Sequence, residues 1–188
     1  MIEDTITWLN NYQPKTPLEA QNCAQILALI QAPNITNKLN FQPGHLTASA
    51  MVLSPDREKV LLIYHSAFQA WIQPGGHIDP TDPDPLEAAK REVAEECMLD
   101  QVELLFDHPS LLQVDIHEVP PNTKKSQPAH QHYDLRFAFV AQTWDMKAAS
   151  DAKAAEWVAL DDFDVHRSDA SVAESIRRLL ELRTLSTE

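Results

Sequence analysis

Three glutamates, Glu92, Glu95 and Glu96, stand at positions i, i+3 and i+4 of the segment Pro85-Leu86-Glu87-Ala88-Ala89-Lys90-Arg91-Glu92-Val93-Ala94-Glu95-Glu96-Cys97. On a helix, at about 100° per residue, they share one arc. Carboxylates so placed repel one another by a few tenths of a kcal/mol per pair. A hard divalent cation reverses the sign of that interaction, because Mg²⁺ takes a few carboxylates together with the phosphate oxygens of a substrate. A bare charge run is ordinarily a solvated face, so the neighbouring residues decide. The 188-residue chain has three glycines, and two of them are the adjacent pair Gly75-Gly76. Average usage would give about 13. A chain this sparing with glycine spends a pair where the backbone needs it. The helix itself is well specified. Asp84 caps its free N–H groups, Pro85 fits the first position, Glu87 completes a capping box, and Leu86, Ala89, Val93 and Cys97 form an apolar stripe.

Taken with its lead-in Trp71-Ile72-Gln73-Pro74-Gly75, this segment resembles the signature of the Nudix hydrolase family. Gly76 takes the place of the first signature glycine. Arg91-Glu92-Val93-Ala94-Glu95-Glu96 matches the central block residue for residue, and Leu99 matches the final aliphatic position. There are three departures: Asp82 replaces the loop Glu, one extra residue separates it from Arg91, and Met98 replaces the late glycine. Glycine there suits a left-handed helix cap. Since a Met in that conformation pays roughly 1 kcal/mol, Met98 is expected to avoid it by altering the helix end.

The resemblance implies an α+β fold, a Nudix-type α/β/α sandwich with a small mixed β-sheet, here with an added N-terminal helix. It implies divalent-metal-dependent hydrolysis, with Mg²⁺ or Mn²⁺, of the phosphoanhydride bond in a nucleoside diphosphate linked to another group. By the same resemblance Glu92, Glu95, Glu96 and the Gly75 carbonyl hold metal, Glu92 and Glu96 are catalytic, and Arg91 orients the carboxylates. The general base stays open among Glu92, Glu96, Glu118, Asp134, Asp151 and Glu156. The alternative is a non-catalytic, Nudix-like nucleotide sensor; the intact Arg91-Glu92 and Glu95-Glu96 pairs favour the enzyme. A diphosphate isomerase on the same fold would need a catalytic cysteine, and neither Cys23 nor Cys97 is placed for that.

A second polar group comes from alternation. In the run 130–139, Tyr133, Leu135, Phe137 and Phe139 share one strand face, and His130, His132, Asp134 and Arg136 share the other. Leu112, Val114 and Ile116 alternate likewise with Gln113, Asp115 and His117. If the two strands pair, their polar faces join into a substrate wall, with Arg136 as a phosphate ligand and His132 and Asp134 beside it. His77, next to the glycine pair, is a further substrate contact. His117, His130 and His132 offer a separate zinc option, because His-x-His on a strand points both rings one way. Lys124 and Lys125, in the long connection between these strands, are placed to meet an anion.

Stepping outward, residues 1–40 read as an N-terminal helix and linker, and 41–188 as the hydrolase domain. Strands are expected over 45–53, 59–65, 101–107, 112–118 and 130–142, with helices over 83–97 and 161–182. The composition is that of a globular chain, 44% hydrophobic and 23% charged. No apolar run nears the roughly 20 residues that cross a bilayer, and the N-terminus lacks the features of a secretory leader. Two cysteines are too few for a disulfide framework. A cytoplasmic, membrane-free protein is therefore expected. A net charge of −13 disfavours nucleic acid as a partner and requires local neutralisation of any anionic substrate. The N-terminal helix is expected either to cover the core or to build a homodimer.

Overall fold

The computed structural model describes residues 1–66, 68–123, 126–150, 152–164 and 168–185, except for the side chains of 184 and 185. Lys124, Lys125 and Asp151 fall outside them. The order is α1 (Ile2–Asn11), α2 (Pro17–Leu29), β1 (Gly44–Leu53), β2 (Lys59–His65), β3 (Ala70–Ile72), β4 (Gly75–His77), α3 (Pro85–Cys97), β5 (Val102–Leu104), β6 (Leu111–Val119), β7 (His130–Ala141), β8 (Ala152–Ala159) and α4 (Ala170–Leu185).

The spine of the fold is the parallel pair β1 and β7, in register from Gly44↔Gln131 to Leu53↔Val140. The two backbones come close at one end: a Cβ on Gly44 would lie 1.8 Å from the Gln131 carbonyl oxygen. On either side the partners are antiparallel. β2 and β4 pair with β1, β3 and β8 with β2, and β5 and β6 with β7. Alternation then sorts two cores. Leu46, Ala48, Ala50 and Val52 join Tyr133, Leu135, Phe137 and Phe139 beneath α1, α2 and α3, through Leu9, Ile26, Leu86, Ala89 and Val93. Met51, Leu53, Val60, Leu62, Ala138 and Val140 pack on Val172, Ile176 and Leu179 of α4. The result is an α/β/α sandwich around a mixed sheet, the layering that the resemblance implies.

The N-terminal segment holds two helices, because Thr16 caps a fresh start at Pro17, accepting from the Glu19 N–H at 3.1 Å. Their buried apolar residues, Leu9, Cys23 and Ile26, belong to the first core. An ion pair ties α2 to α4: Arg178 Nη2 donates to Glu19 Oε2 at 2.6 Å, and both side chains are about nineteen-twentieths buried. The β6–β7 pairing joins the two polar faces as expected, with Gln113↔Arg136, Asp115↔Asp134 and His117↔His132. One expected assignment is corrected. A bulge between Leu111 and Gln113 puts Leu111 with Val114 in the first core and sends Leu112 to the second.

The start and end of α3 also differ from expectation. Asp84 caps it, accepting from the Glu87 N–H at 2.9 Å, but the Glu87 carboxylate pairs with Lys90 at 2.7 Å rather than turning back on the cap. Met98 does not avoid the left-handed region; it occupies it, at φ 50° and ψ 34°. Two constraints outweigh the steric cost. Leu99 must enter the core, where it is 1% exposed. The last helical carbonyls are already engaged, Glu96 O by the Ala149 N–H and Cys97 O by the Lys147 N–H, both at 2.8 Å. The Met98 side chain is left in solvent. Met98→Gly is therefore expected to stabilise the protein by about 0.5–1 kcal/mol. Thermal unfolding would then shift upward by about 1–4 °C, and a lowered midpoint would contradict this account.

Candidate active site

Arg91 organises the acidic cluster. Its Nε and Nη2 fork onto the Asp82 carboxylate, with contacts at 3.0, 3.3 and 3.0 Å. Nη2 also donates to the His77 carbonyl at 2.8 Å. Nη1 donates to Glu92 Oε1 at 3.0 Å and Glu95 Oε2 at 3.2 Å. The brace between the loop acid and the arginine is thus intact despite the shorter Asp and the extra residue. Asp82 closes its own turn by accepting from the Asp79 N–H at 2.7 Å, while its own N–H donates to Asp79 O at 2.9 Å. Burial alone would raise the Asp82 carboxyl, but the Arg91 hydrogen bonds and the Asp79 N–H outweigh it and hold it below the usual carboxylate range.

The glycine pair permits two close approaches, of β4 to β1 at Gly75 and of α3 to β4 at Gly76. A Cβ on Gly75 would lie 2.4 Å from Ser49 Cβ, and one on Gly76 would lie 2.6 Å from Glu92 Oε1. The Gly75 N–H donates to Glu96 Oε2 at 3.0 Å, and Glu96 is buried. The glutamates are therefore not equivalent. Glu96 is anchored to the loop backbone, Glu92 lies over Gly76, and Glu95 is exposed at the rim, held by Arg91. Burial raises the Glu92 carboxyl above its usual value; Arg91 opposes this, and the charges of Glu95 and Asp79 add to it. A partly desolvated set of hard oxygen donors on a glycine loop fits a hard divalent cation. Gly76→Ala would drive a methyl into the Glu92 carboxylate. A flexible side chain can yield, so the midpoint of unfolding should hardly move. Displacing the carboxylate by about 1 Å should still cost 10- to 100-fold in turnover, measured as kcat against the wild type.

The other expected residues are placed differently. Arg136 is 2% exposed. Its Nη1 donates to Gln113 Oε1, Ser171 O, Ser171 Oγ and Ser175 Oγ, its Nε to Ser49 Oγ, and its Nη2 to Asp134. It ties β7 to α4 and does not face an open wall. Asp134 is equally buried and accepts from Thr47 Oγ1 at 3.0 Å and Ser49 Oγ at 2.6 Å. Glu118 stands opposite Gln131 and Glu156 opposite Leu62. His132 and His77 pack ring against ring with His45. Burial, then neighbouring positive charge, pushes the pKa of His77 down to about 4 and that of His132 to about 2. Sequence reasoning missed His45, Thr47 and Ser49. Their only signal is alternation on β1, which matters once β1 is known to lie beside β7. Burial pushes the Cys97 thiol up to about 12, and the charge of Glu96 adds to it, so it is no nucleophile. A cavity of about 330 Å³, lined in part by Trp8, Tyr12, Phe106, Leu112 and Arg178, shares no residue with the cluster.

A NUDIX domain model matches residues 43–180, from just before β1 into α4. The chain belongs to the Nudix family. Among its relatives is a probable DHNTP pyrophosphohydrolase of Lactococcus lactis subsp. cremoris (strain MG1363), 28% identical over 138 residues, which are 73% of this chain and 78% of that protein. Among solved structures, a Nudix-family hydrolase from Clostridium perfringens aligns at TM-score 0.55 and 23% identity, over 73% of this chain and 97% of that one. The NUDIX domain of Shewanella oneidensis NrtR, solved with ADP-ribose, aligns at TM-score 0.52 and 18% identity, over 85% of this chain and 97% of that one. The structural likenesses speak to fold alone. This Nudix protein is a hydrolase of a pyrophosphate bond, and Nudix hydrolases generally use divalent metals. Among the described residues, no helix is long and apolar enough to cross a membrane.

Proposed function

We propose that this Nudix hydrolase uses Mg²⁺ or Mn²⁺ to split the diphosphate of a nucleoside diphosphate linked to another group. One observation carries the reading: Glu92 and Glu96 meet the Gly75-Gly76 loop, Glu96 through the Gly75 N–H at 3.0 Å and Glu92 against Gly76. Glu92, Glu95, Glu96 and the Gly75 carbonyl oxygen would hold the cation. When bound, a divalent cation screens the diphosphate charge and acidifies water.

The chain's own residues supply the rest. Arg91 is engaged by Asp82, Glu92, Glu95 and the His77 carbonyl, so it positions the carboxylates and does not contact phosphate. Of the candidate bases we favour Glu92 as proton acceptor, because burial strengthens its hold on a proton and it lies against Gly76. Asp134 already accepts from Thr47, Ser49 and Arg136, which leaves it a poor base. A substrate with one charged diphosphate and an uncharged remainder suits a surface of net charge −13, because neutralisation is needed at one point only.

The test is a product assay. Purified protein with Mg²⁺ or Mn²⁺ is offered ADP-ribose, diphosphate-linked dinucleotides and nucleoside monophosphates, and the products are separated by ion exchange. Two phosphorylated fragments from the diphosphates, and none from the monophosphates, are expected. Tight binding of a diphosphate with no product under either metal would overturn the enzyme reading in favour of the nucleotide sensor.

A further inference from the structure

The sheet face opposite α3 carries a second group of ligands that the carboxylate site does not use. His45 on β1, His77 on β4 and His132 on β7 each present a ring nitrogen, and the three atoms lie within 4.8 Å of one another. The ring centroids are 5.0 Å apart for His45–His77, 4.9 Å for His45–His132 and 5.5 Å for His77–His132. His130 and His117 pack around the trio.

Two details mark this as more than a packed cluster. His45 is fully buried, and its Nδ1 lies 3.0 Å from the Asn40 carbonyl oxygen. A carbonyl only accepts, so Nδ1 carries the proton and Nε2 is left with a free lone pair. That Nε2 has no hydrogen-bond partner, and neither does the buried Nε2 of His132. Leaving a buried polar atom unmet is costly, and an ion that accepts a lone pair from each ring removes both costs together. A carbonyl fixing the far nitrogen of a ligating histidine is also the usual outer support of such sites.

We propose that His45, His77 and His132 form a binding site for a transition-metal cation of the zinc class, separate from the hard-cation site of the glutamates. Three imidazoles and no carboxylate select Zn²⁺, Co²⁺ or Ni²⁺ over Mg²⁺. Tetrahedral bonds of about 2.0–2.1 Å place ligand nitrogens about 3.3 Å apart, so the rings draw inward by about an ångström on binding. The partly buried His77 and His132 have the freedom to do so, while His45 is fixed. Three protein ligands leave a fourth position for solvent or a small ligand. The ion would also pin β4 to β1 and β7 one residue beyond the glycine pair. The sequence placed a zinc option at His117, His130 and His132; the fold brings a different trio together, because β1 and β4 supply rings that strand alternation alone does not connect to β7.

The experiment uses the full-length chain, stripped of metal and titrated with Zn²⁺ in a large excess of Mg²⁺, with bound metal counted after dialysis. One Zn²⁺ per chain is expected, and equally in Glu92→Gln and Glu96→Gln. His77→Gln and His132→Gln should each weaken Zn²⁺ binding by about 100-fold or more, beyond the loss typical of an outer-shell change. X-ray absorption at the zinc edge of the loaded wild type gives a readout that needs no variant, and three imidazole ligands are expected. No stoichiometric uptake, uptake abolished by the glutamate variants, or an all-oxygen shell would each overturn the proposal.

Discussion

Glu96→Gln is expected to lower turnover of a diphosphate substrate by about 10³-fold at saturating Mg²⁺, since the loss of one charged ligand removes several kcal/mol of charge stabilisation. The substitution separates charge from structure. The amide oxygen can still accept from the Gly75 N–H, which now meets Glu96 Oε2 at 3.0 Å, so the loop and α3 should stay together and the unfolding midpoint should move little. Glu95→Gln should cost much less. Its carboxylate is exposed and touches the cluster through Arg91 Nη1, and solvent screening discounts such contacts. The order of the two effects is the informative result. Equal losses would mean that burial and the Gly75 hydrogen bond do not rank the glutamates. Glu96→Gln turnover within threefold of wild type would remove Glu96 from the site.

How much of this was legible in the sequence follows from which interactions are local. The cap at Asp84, the arc of glutamates and the alternation of β7 are set by residues a few positions apart, and they read correctly. Met98 misled because the rule for helix ends is local, whereas the demand on Met98 comes from Leu99 entering the core and from Lys147 and Ala149 meeting the final carbonyls. β8 went unnoticed for a similar reason. Ala152-Lys153-Ala154-Ala155-Glu156-Trp157-Val158-Ala159 is rich in alanine, a poor strand former; it is a strand because β2 offers it an edge from Lys59↔Ala159 to His65↔Ala152. Arg136 shows the limit for function. Alternation gave its face correctly, but only the tertiary fold shows that α4 covers it with Ser171 and Ser175. The histidine trio needed the parallel β1–β7 pairing, which no short-range pattern encodes.

The largest expected effect on stability lies away from the carboxylate cluster, at Glu19. Its carboxylate accepts from Arg178 Nη2 at 2.6 Å, from the Lys15 N–H at 2.7 Å and from the Tyr12 hydroxyl. Removing it with Glu19→Ala leaves a guanidinium that is 5% exposed. Arg178 keeps Glu174 at 3.0 Å and the Leu112 carbonyl at 2.9 Å, so the cost should fall at the low end of the 3–5 kcal/mol typical of a broken buried pair, about 3 kcal/mol. For a chain of this size that is a fall of roughly 6–12 °C in the unfolding midpoint. The same pair sets an acid limb. Burial would raise the Glu19 carboxyl, but the hydrogen bonds from Arg178, Tyr12 and Lys15 outweigh it and hold it below the ordinary value. A carboxyl depressed in the folded state stabilises above its unfolded pKa of about 4.3, and that contribution fades as pH falls through the folded value. Urea midpoints of the wild type should therefore drop more steeply below pH 5 than those of Glu19→Ala, and the gap between the two curves should narrow as pH falls. Parallel curves would mean that Glu19 does not carry the linkage.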